Sequence, residues 1–332
     1  MIYIIILLLL VAYIFANCLY KRTNAYKNSY VTIKGYLQGV PKNLRIVAFG
    51  STYAKYAFNN FEELRLNGFN FCLEAEALQS DFRLMKQYET HLAPGCIVVI
   101  NLAACVTCCN EEEVVVLYAN NYYKILPFKM LPKVLRCSFK RWWHYIFPIG
   151  LKNLKQFGRL IIDTDCIDDV TSRHPVSVSS SLANENMENI ANGWIQMFKL
   201  KDLKSTDIPK KIEECVGTNE HTLNEMVAFC KAKKWKPLFV IPPMSSKLQQ
   251  NFSDEFVEKV LLSVVNKSSR LNNIPLYNYL KQEDFCYDYK LYCDGGFKLN
   301  KYGSKKFMRH FLGDLIKDGI IANNSVLSVD KL

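Results

Sequence analysis

Short continuous apolar runs alternate along this chain with segments of helical periodicity. Leu44–Phe49 predicts a strand stopped by Gly50, and Tyr53–Phe58 predicts the first turns of a helix. Gly68–Leu73 predicts a second strand. Ser80 is placed to cap a helix running to His91, with Phe82, Leu84, Met85 and Tyr88 as its apolar stripe. Pro94-Gly95 turns the chain into Cys96–Ile100, an unbroken apolar run of the kind buried on both faces of a sheet. Strand, helix, strand, helix, strand is the order of a parallel sheet with helices packed on it. The middle of the chain is less regular. Glu111–Leu126 predicts helix, Lys129–Phe147 is basic and aromatic, and 163–186 is an Asp- and Ser-rich stretch expected to be irregular. Periodicity returns with a helical stretch over Ile208–Lys234 and a buried strand that exits through Pro242-Pro243. Ser253 then caps a helix to Lys267, Ile274–Tyr277 is a short strand, and Tyr302–Lys317 is a closing amphipathic helix. No internal repeat is visible.

One segment breaks this pattern. Ile2–Ala16 is continuously apolar, Asn17 and Cys18 interrupt it, and Leu19-Tyr20 close it before Lys21-Arg22. About twenty helical residues reach about 30 Å, the hydrocarbon thickness of a bilayer. No Lys or Arg precedes the run, as a cleaved signal would require. A helix apolar on every side has no face to show water. Residues 1–20 therefore predict a retained membrane anchor, with membrane lipid as partner, and 21–43 predict a basic linker.

Charge sharpens this. The chain of 332 residues has 42 Lys and Arg against 31 Asp and Glu, a net +11. The first acid is Glu62, so residues 1–61 already hold +7. The excess follows the apolar terminus, as expected of a stretch meeting lipid headgroups. It is not spread with aromatics over a face, which excludes nucleic acid as a partner. Half the residues are hydrophobic, which excludes a disordered chain. The basic flank and twelve cysteines without a pairing pattern point to a cytoplasmic location for the rest of the chain.

Two places carry candidate chemistry. The first is Gly50-Ser51-Thr52, at the carboxyl end of the first strand and the start of a helix, where ligands gather in parallel sheets and main-chain amides can hold an oxyanion. The plainer reading is that Ser51 and Thr52 cap the helix. The second is Cys293-Asp294-Gly295-Gly296-Phe297-Lys298-Leu299-Asn300, just before the closing helix.

Together with Gly68–Phe71, Pro242-Pro243 and Gly303, these resemble the SGNH/GDSL hydrolase superfamily, and within it the membrane-anchored members associated with cell-surface polysaccharide or teichoic-acid modification. The resemblance spans most of 44–317. It implies a flavodoxin-like three-layer α/β/α sandwich over 44–320, with an irregular insertion around 128–207 and a tail at 321–332. It also implies an esterase or acyltransferase activity without a cofactor, a cell-surface polysaccharide as partner, and an extracytoplasmic domain, against the charge. The family's nucleophile position falls on Thr52, with Ser51 beside it. Its acid falls on Asp294, and Asn101 is the nearest candidate for an oxyanion donor. The family's histidine falls on Phe297 or Lys298, neither of which is histidine. Lys298 would serve as base only with its pKa lowered by about 3 units. The triad is therefore degenerate, and a non-catalytic scaffold or glycan-binding module is the alternative.

Trp142 and Trp143, in Arg141-Trp142-Trp143-His144, suit stacking on sugar rings, packing, or the membrane interface, where tryptophan is enriched. Cys105 and Cys108 form one C-x-x-C without the second pair a zinc site needs. Asp163, Asp165, Asp168 and Asp169 lack the glycine and closing glutamate of a calcium loop. No metal is expected.

Overall fold

The computed structural model describes residues 1–59, 61, 66–150, 158 and 180–322. The chain divides into two compact units: unit 1 is Met1–Gly39 with Val116–Val170, and unit 2 is Val40–Val115 with Thr171–Leu332. The main helices are α1 (Ile2–Tyr20), α2 (Thr52–Ala57), α3 (Leu78–Gln87), α4 (Phe139–Ile146), α5 (Ser180–Phe198), α6 (Lys210–Ala232), α7 (Ser263–Asn272) and α8 (Lys301–Lys317).

Unit 2 is an α/β fold. Its strands are β1 (Leu44–Phe49), β2 (Gly68–Asn70), β3 (Leu92–Asn101), β4 (Lys236–Ile241) and β5 (Leu276–Asn278). All pairings are parallel, in the order β2-β1-β3-β4-β5, which is the flavodoxin-like order. Strand alternation divides the core. Ile46, Ala48, Ile97, Val99, Leu238 and Val240 join Ala54, Ala57 and Phe58 at α2 and Phe307 and Phe311 of α8 in one cluster. Val47, Phe49, Val98, Ile100 and Phe239 alternate with them and are equally buried, beneath α6, which packs on α3, α7 and β4. Burial on both faces is why these strands read as unbroken apolar runs.

Several boundaries differ from the sequence expectation. β2 stops at Asn70 because that side chain turns the chain: its Oδ1 accepts from Cys72 N–H at 3.1 Å and its Nδ2 donates to Lys55 O at 2.9 Å. α3 begins at Leu78, so Ser80 lies inside its first turn and donates to Glu111 Oε1 instead of capping. Ser253 does cap its helix, accepting from Phe256 N–H, but the helix then passes through a π turn at Glu258–Leu262 before α7. Residues 180–186, expected to be irregular, are the first turns of α5.

Unit 1 is built around the end of α1, the one described helix long and apolar enough to cross a membrane. Asn17, the polar break in that run, has a structural task. Its Nδ2 donates to Tyr13 O one turn earlier, and its Oδ1 accepts from Ile149 N–H at 2.9 Å. Residues 21–43, expected to be a linker, contain short helices at Asn24–Asn28 and Lys34–Gln38. Tyr20, Tyr26 and Tyr30 stack edgewise with ring centres 5.1–5.6 Å apart and are buried, and Lys124 Nζ lies 5.2 Å from the Tyr30 ring centre.

Candidate functional site

β1 lies between β2 and β3, so its carboxyl end opens between two neighbouring strand ends. Gly50 makes the turn there with φ +145°. A Cβ at this position would sit 2.8 Å from Asn101 Cβ and 3.0 Å from Ala54 Cβ, so only glycine fits. The loop after β2 then folds over the junction. Glu76 N–H donates to Ser51 Oγ at 3.0 Å and Ala75 N–H donates to Thr52 Oγ1 at 3.2 Å. Ser51 is buried and Thr52 half-buried. Both hydroxyls thus act as acceptors that hold the loop in place. Asn101, at the end of β3, donates its amide to Phe49 O at 2.9 Å, tying β3 to β1.

Beneath the junction lie two carboxyl groups that sequence reasoning missed. Asp81 Oδ1 accepts from Gly50 N–H at 2.8 Å, and Glu76 Oε2 accepts from Leu73 N–H at 2.9 Å. Both residues are fully buried. Burial pushes the Asp81 carboxyl up to about 8, against the pull of hydrogen bonds from Glu76 and the Gly50 amide. Burial, and then the charge of Asp81, push Glu76 well above the usual carboxylate range. Burial and mutual proximity thus favour the neutral form of both carboxyls. The visible signal was three acids, Glu74, Glu76 and Asp81, in a stretch that is otherwise apolar enough to be core. Glu74 is used as well: its carboxylate lies 3.7 Å from the buried Lys55 Nζ and accepts from Tyr56 OH at 3.2 Å.

The C-terminal block packs against the same helix. Phe297 stacks on Tyr53 at 4.8 Å and on Trp194 of α5 at 5.8 Å. Asp294 Oδ1 accepts from the N–H groups of Gly296, Phe297 and Lys298 at 2.9–3.2 Å, which closes the loop on itself. Its other oxygen is buried without a partner, and burial raises its pKa despite those three amides. Gly295, at φ +88°, lies where a Cβ would come 2.7 Å from Ala183 Cβ. Lys298 Nζ lies 5.5 Å from the ring centre of Tyr56, one turn along α2 from Thr52. The structure thus brings Ser51, Thr52, Asn101 and the 294–298 block around one strand end and one helix. Among the described residues, no hydrogen bond joins Lys298 or Asp294 to either hydroxyl.

The described histidines have partners elsewhere. His91 Nδ1 meets the carbonyls of Val40 and Pro41, His221 pairs with Glu225, and His310 faces Asp314 and Tyr279. His144 lies exposed on α4 in unit 1, the helix that also carries Trp142 and Trp143. Trp142 packs inward on Tyr123 at 4.8 Å and Phe128 at 5.6 Å, whereas Trp143 is partly open. No cluster of three or more His, Cys, Asp or Glu suited to a metal occurs among the described residues. No disulfide joins the described cysteines, and burial pushes the Cys108 thiol up to about 12. Asp163, Asp165, Asp168 and Asp169 lie outside the described residues.

Comparison with protein-family models and with curated proteins finds no match. Solved structures do match. One is the crystal structure of a "putative acylhydrolase" from Bacteroides fragilis, 11% identical, with 88% of this chain and 99% of that chain covered at a TM-score of 0.40.

Proposed function

We propose that this chain is a membrane-anchored, SGNH-like protein of surface-glycan modification whose β1 junction holds an acylated group without turning it over. The observation that carries this reading is the use already made of both hydroxyls and of the polar groups around them. Both hydroxyls accept loop amides, Asn101 is tied to β1, and one Asp294 oxygen is surrounded by three amides of its own loop. Nucleophilic attack needs a base in hydrogen-bond reach of the hydroxyl, and the candidate base Lys298 has its Nζ over the Tyr56 ring, 5.5 Å from its centre. The opposing reading is an active esterase or acyltransferase with Thr52 as nucleophile and Lys298 as base.

The test uses the full chain in detergent with a fluorophosphonate probe and p-nitrophenyl acetate. The expected outcome is no covalent labelling and hydrolysis no faster than in buffer. Labelling or turnover that disappears in Thr52→Ala or Ser51→Ala would establish the enzyme. The proposal also puts unit 2 outside the cytoplasm, against the preference of its basic flank. Tyr287 is 75% exposed, so a Tyr287→Cys variant is expected to react with an impermeant maleimide on intact cells. Protection in intact cells with reaction after lysis would reverse the topology and remove the surface-glycan assignment.

A further inference from the structure

The two tryptophans singled out in the sequence are not used by the β1 junction, and unit 1 gives them a different setting. Phe139, Trp143 and Ile146 recur at i, i+4 and i+7 on α4, so they share one helix face. They are 78%, 42% and 43% exposed. One flank of the helix is closed: Trp142 and Tyr145 both pack on Tyr123, at 4.8 and 5.0 Å. Among the described residues, α4 therefore presents an exposed apolar stripe.

The level of this stripe follows from how α4 is tied to α1. Just past the end of α4, Tyr13 OH donates to Ile149 O at 2.9 Å, Ile149 N–H donates to Asn17 Oδ1, and Phe147 packs on the Tyr13 ring at 5.5 Å. Tyr13 and Asn17 lie seven and three residues before the end of α1, about 10 and 5 Å along its axis. The nineteen residues of α1 span about 28 Å, close to the full hydrocarbon thickness, so no turn of it can be spared. Anything fastened to Tyr13 and Asn17 is held about 5–10 Å inside the end of that span, the depth to which an interfacial helix buries its apolar face.

Charge says which chemistry meets the stripe. From Val116 to Ile162 there is no Asp or Glu. Lys140 on α4, and Lys133 and Arg136 shortly before it in the chain, are exposed. Two copies pairing through this face would set cations on cations, whereas an anionic lipid surface neutralises them at about 1 kcal/mol per Lys or Arg. An amphipathic helix with aromatic residues on one side and cations on the other is the form that lies in a bilayer interface.

We propose that α4 lies in the headgroup layer of the membrane that α1 crosses, with Phe139, Trp143 and Ile146 at the acyl boundary and its cations on anionic headgroups. This rests on the membrane-anchor reading of α1. α4 then fixes unit 1 to the surface at a second point, which a single helix followed by a linker would not do.

The test uses the full chain reconstituted in phosphatidylcholine vesicles containing one third phosphatidylglycerol, with and without brominated acyl chains. α1 contains no tryptophan, so the difference between wild type and Trp143→Phe isolates the emission of one residue on α4. The expected result is that this difference falls at least twofold in brominated lipid and barely responds to aqueous iodide. Phe139→Ala is expected to weaken the brominated-lipid effect while leaving the unfolding midpoint in detergent unchanged. Retention of the protein in the vesicles at alkaline pH reports the anchor separately. Retention with a Trp143 signal quenched by iodide, or by neither quencher, overturns the α4 proposal and leaves the anchor standing. Release at alkaline pH overturns both.

Discussion

The two units handle charge and apolar surface in opposite ways. Unit 2 has 29 Lys and Arg against 27 Asp and Glu, a net +2, while unit 1 has 13 against 4, a net +9. Unit 2 pairs many of its charges across its surface, as in Arg83–Glu111, Lys233–Glu89 and Lys267–Glu220. It buries its apolar residues on both faces of a parallel sheet. Among its described residues, unit 1 has no sheet to cover, leaves Phe128, Phe139 and Ile146 exposed, and also exposes Lys133, Arg136 and Lys140. A globular core hides apolar area from water, whereas an interfacial surface keeps it available to lipid. The contrast locates the +11: the residues that carry it are not the first sixty alone, but the two chain segments that fold together as unit 1.

The largest test of this contrast is truncation of a core aromatic in each unit. Phe307 is fully buried, with its ring 5.4 Å from Phe58 and 5.3 Å from Tyr279. Phe307→Ala is expected to destabilise unit 2 by about 3–5 kcal/mol in denaturant unfolding. Phe139→Ala, on the exposed stripe, is expected to change stability in detergent by less than about 0.5 kcal/mol. An equal loss in both would erase the distinction between a core and a lipid-facing surface.

Gly50→Ala comes next. It combines a left-handed backbone with a 2.8 Å approach to Asn101 Cβ, and is expected to destabilise unit 2 by about 2–3 kcal/mol. A neutral result would show that the β1 junction opens freely. In unit 1, Asn17→Ala leaves the Ile149 N–H without its acceptor and is expected to lower stability by about 1–3 kcal/mol. The loss should appear in unit 1 contacts, read for instance as altered Trp142 fluorescence, and leave unit 2 unchanged.

The buried carboxyls give a pH dependence confined to unit 2. An unfolded chain ionises these groups near pH 4, as model carboxylates do. The fold keeps Asp81 protonated up to about 8 and raises Glu76 as well. Between those limits the folded state holds more protons than the unfolded one, so stability falls as pH rises and is greatest at the acid end. Urea midpoints at pH 5 and pH 8 should show the fall. Asp81→Asn keeps an acceptor for the Gly50 amide and should flatten it. A midpoint that rises with pH in the wild type would contradict the burial of the pair.

The long apolar helix, the parallel sheet and the strand end at Gly50 were legible in the sequence because each rests on local signals. An unbroken apolar run of about twenty residues, strand-length runs bounded by turns, and a glycine at a strand end need no knowledge of distant partners. The candidate positions Ser51, Thr52, Asn101, Asp294 and Lys298 were legible as a set gathered near one strand end. What their side chains do was not. The loop amides of Ala75 and Glu76 reach the two hydroxyls across more than twenty residues, and the 294–298 block meets α2 across more than two hundred. The Glu76–Asp81 pair was not legible, because nothing local shows that both groups are buried. Likewise 21–43 read as a linker, since the surface that buries Tyr26 and Tyr30 comes from elsewhere in the chain. Sequence by itself thus determined where strands, helices and the apolar anchor form, because backbone preference and hydrophobic periodicity act over a few residues. Only the tertiary structure decided which polar groups are used up in holding the junction, and that α4 is fastened at the edge of α1. Burial and hydrogen-bond partnership depend on segments that are distant in the chain and adjacent in space.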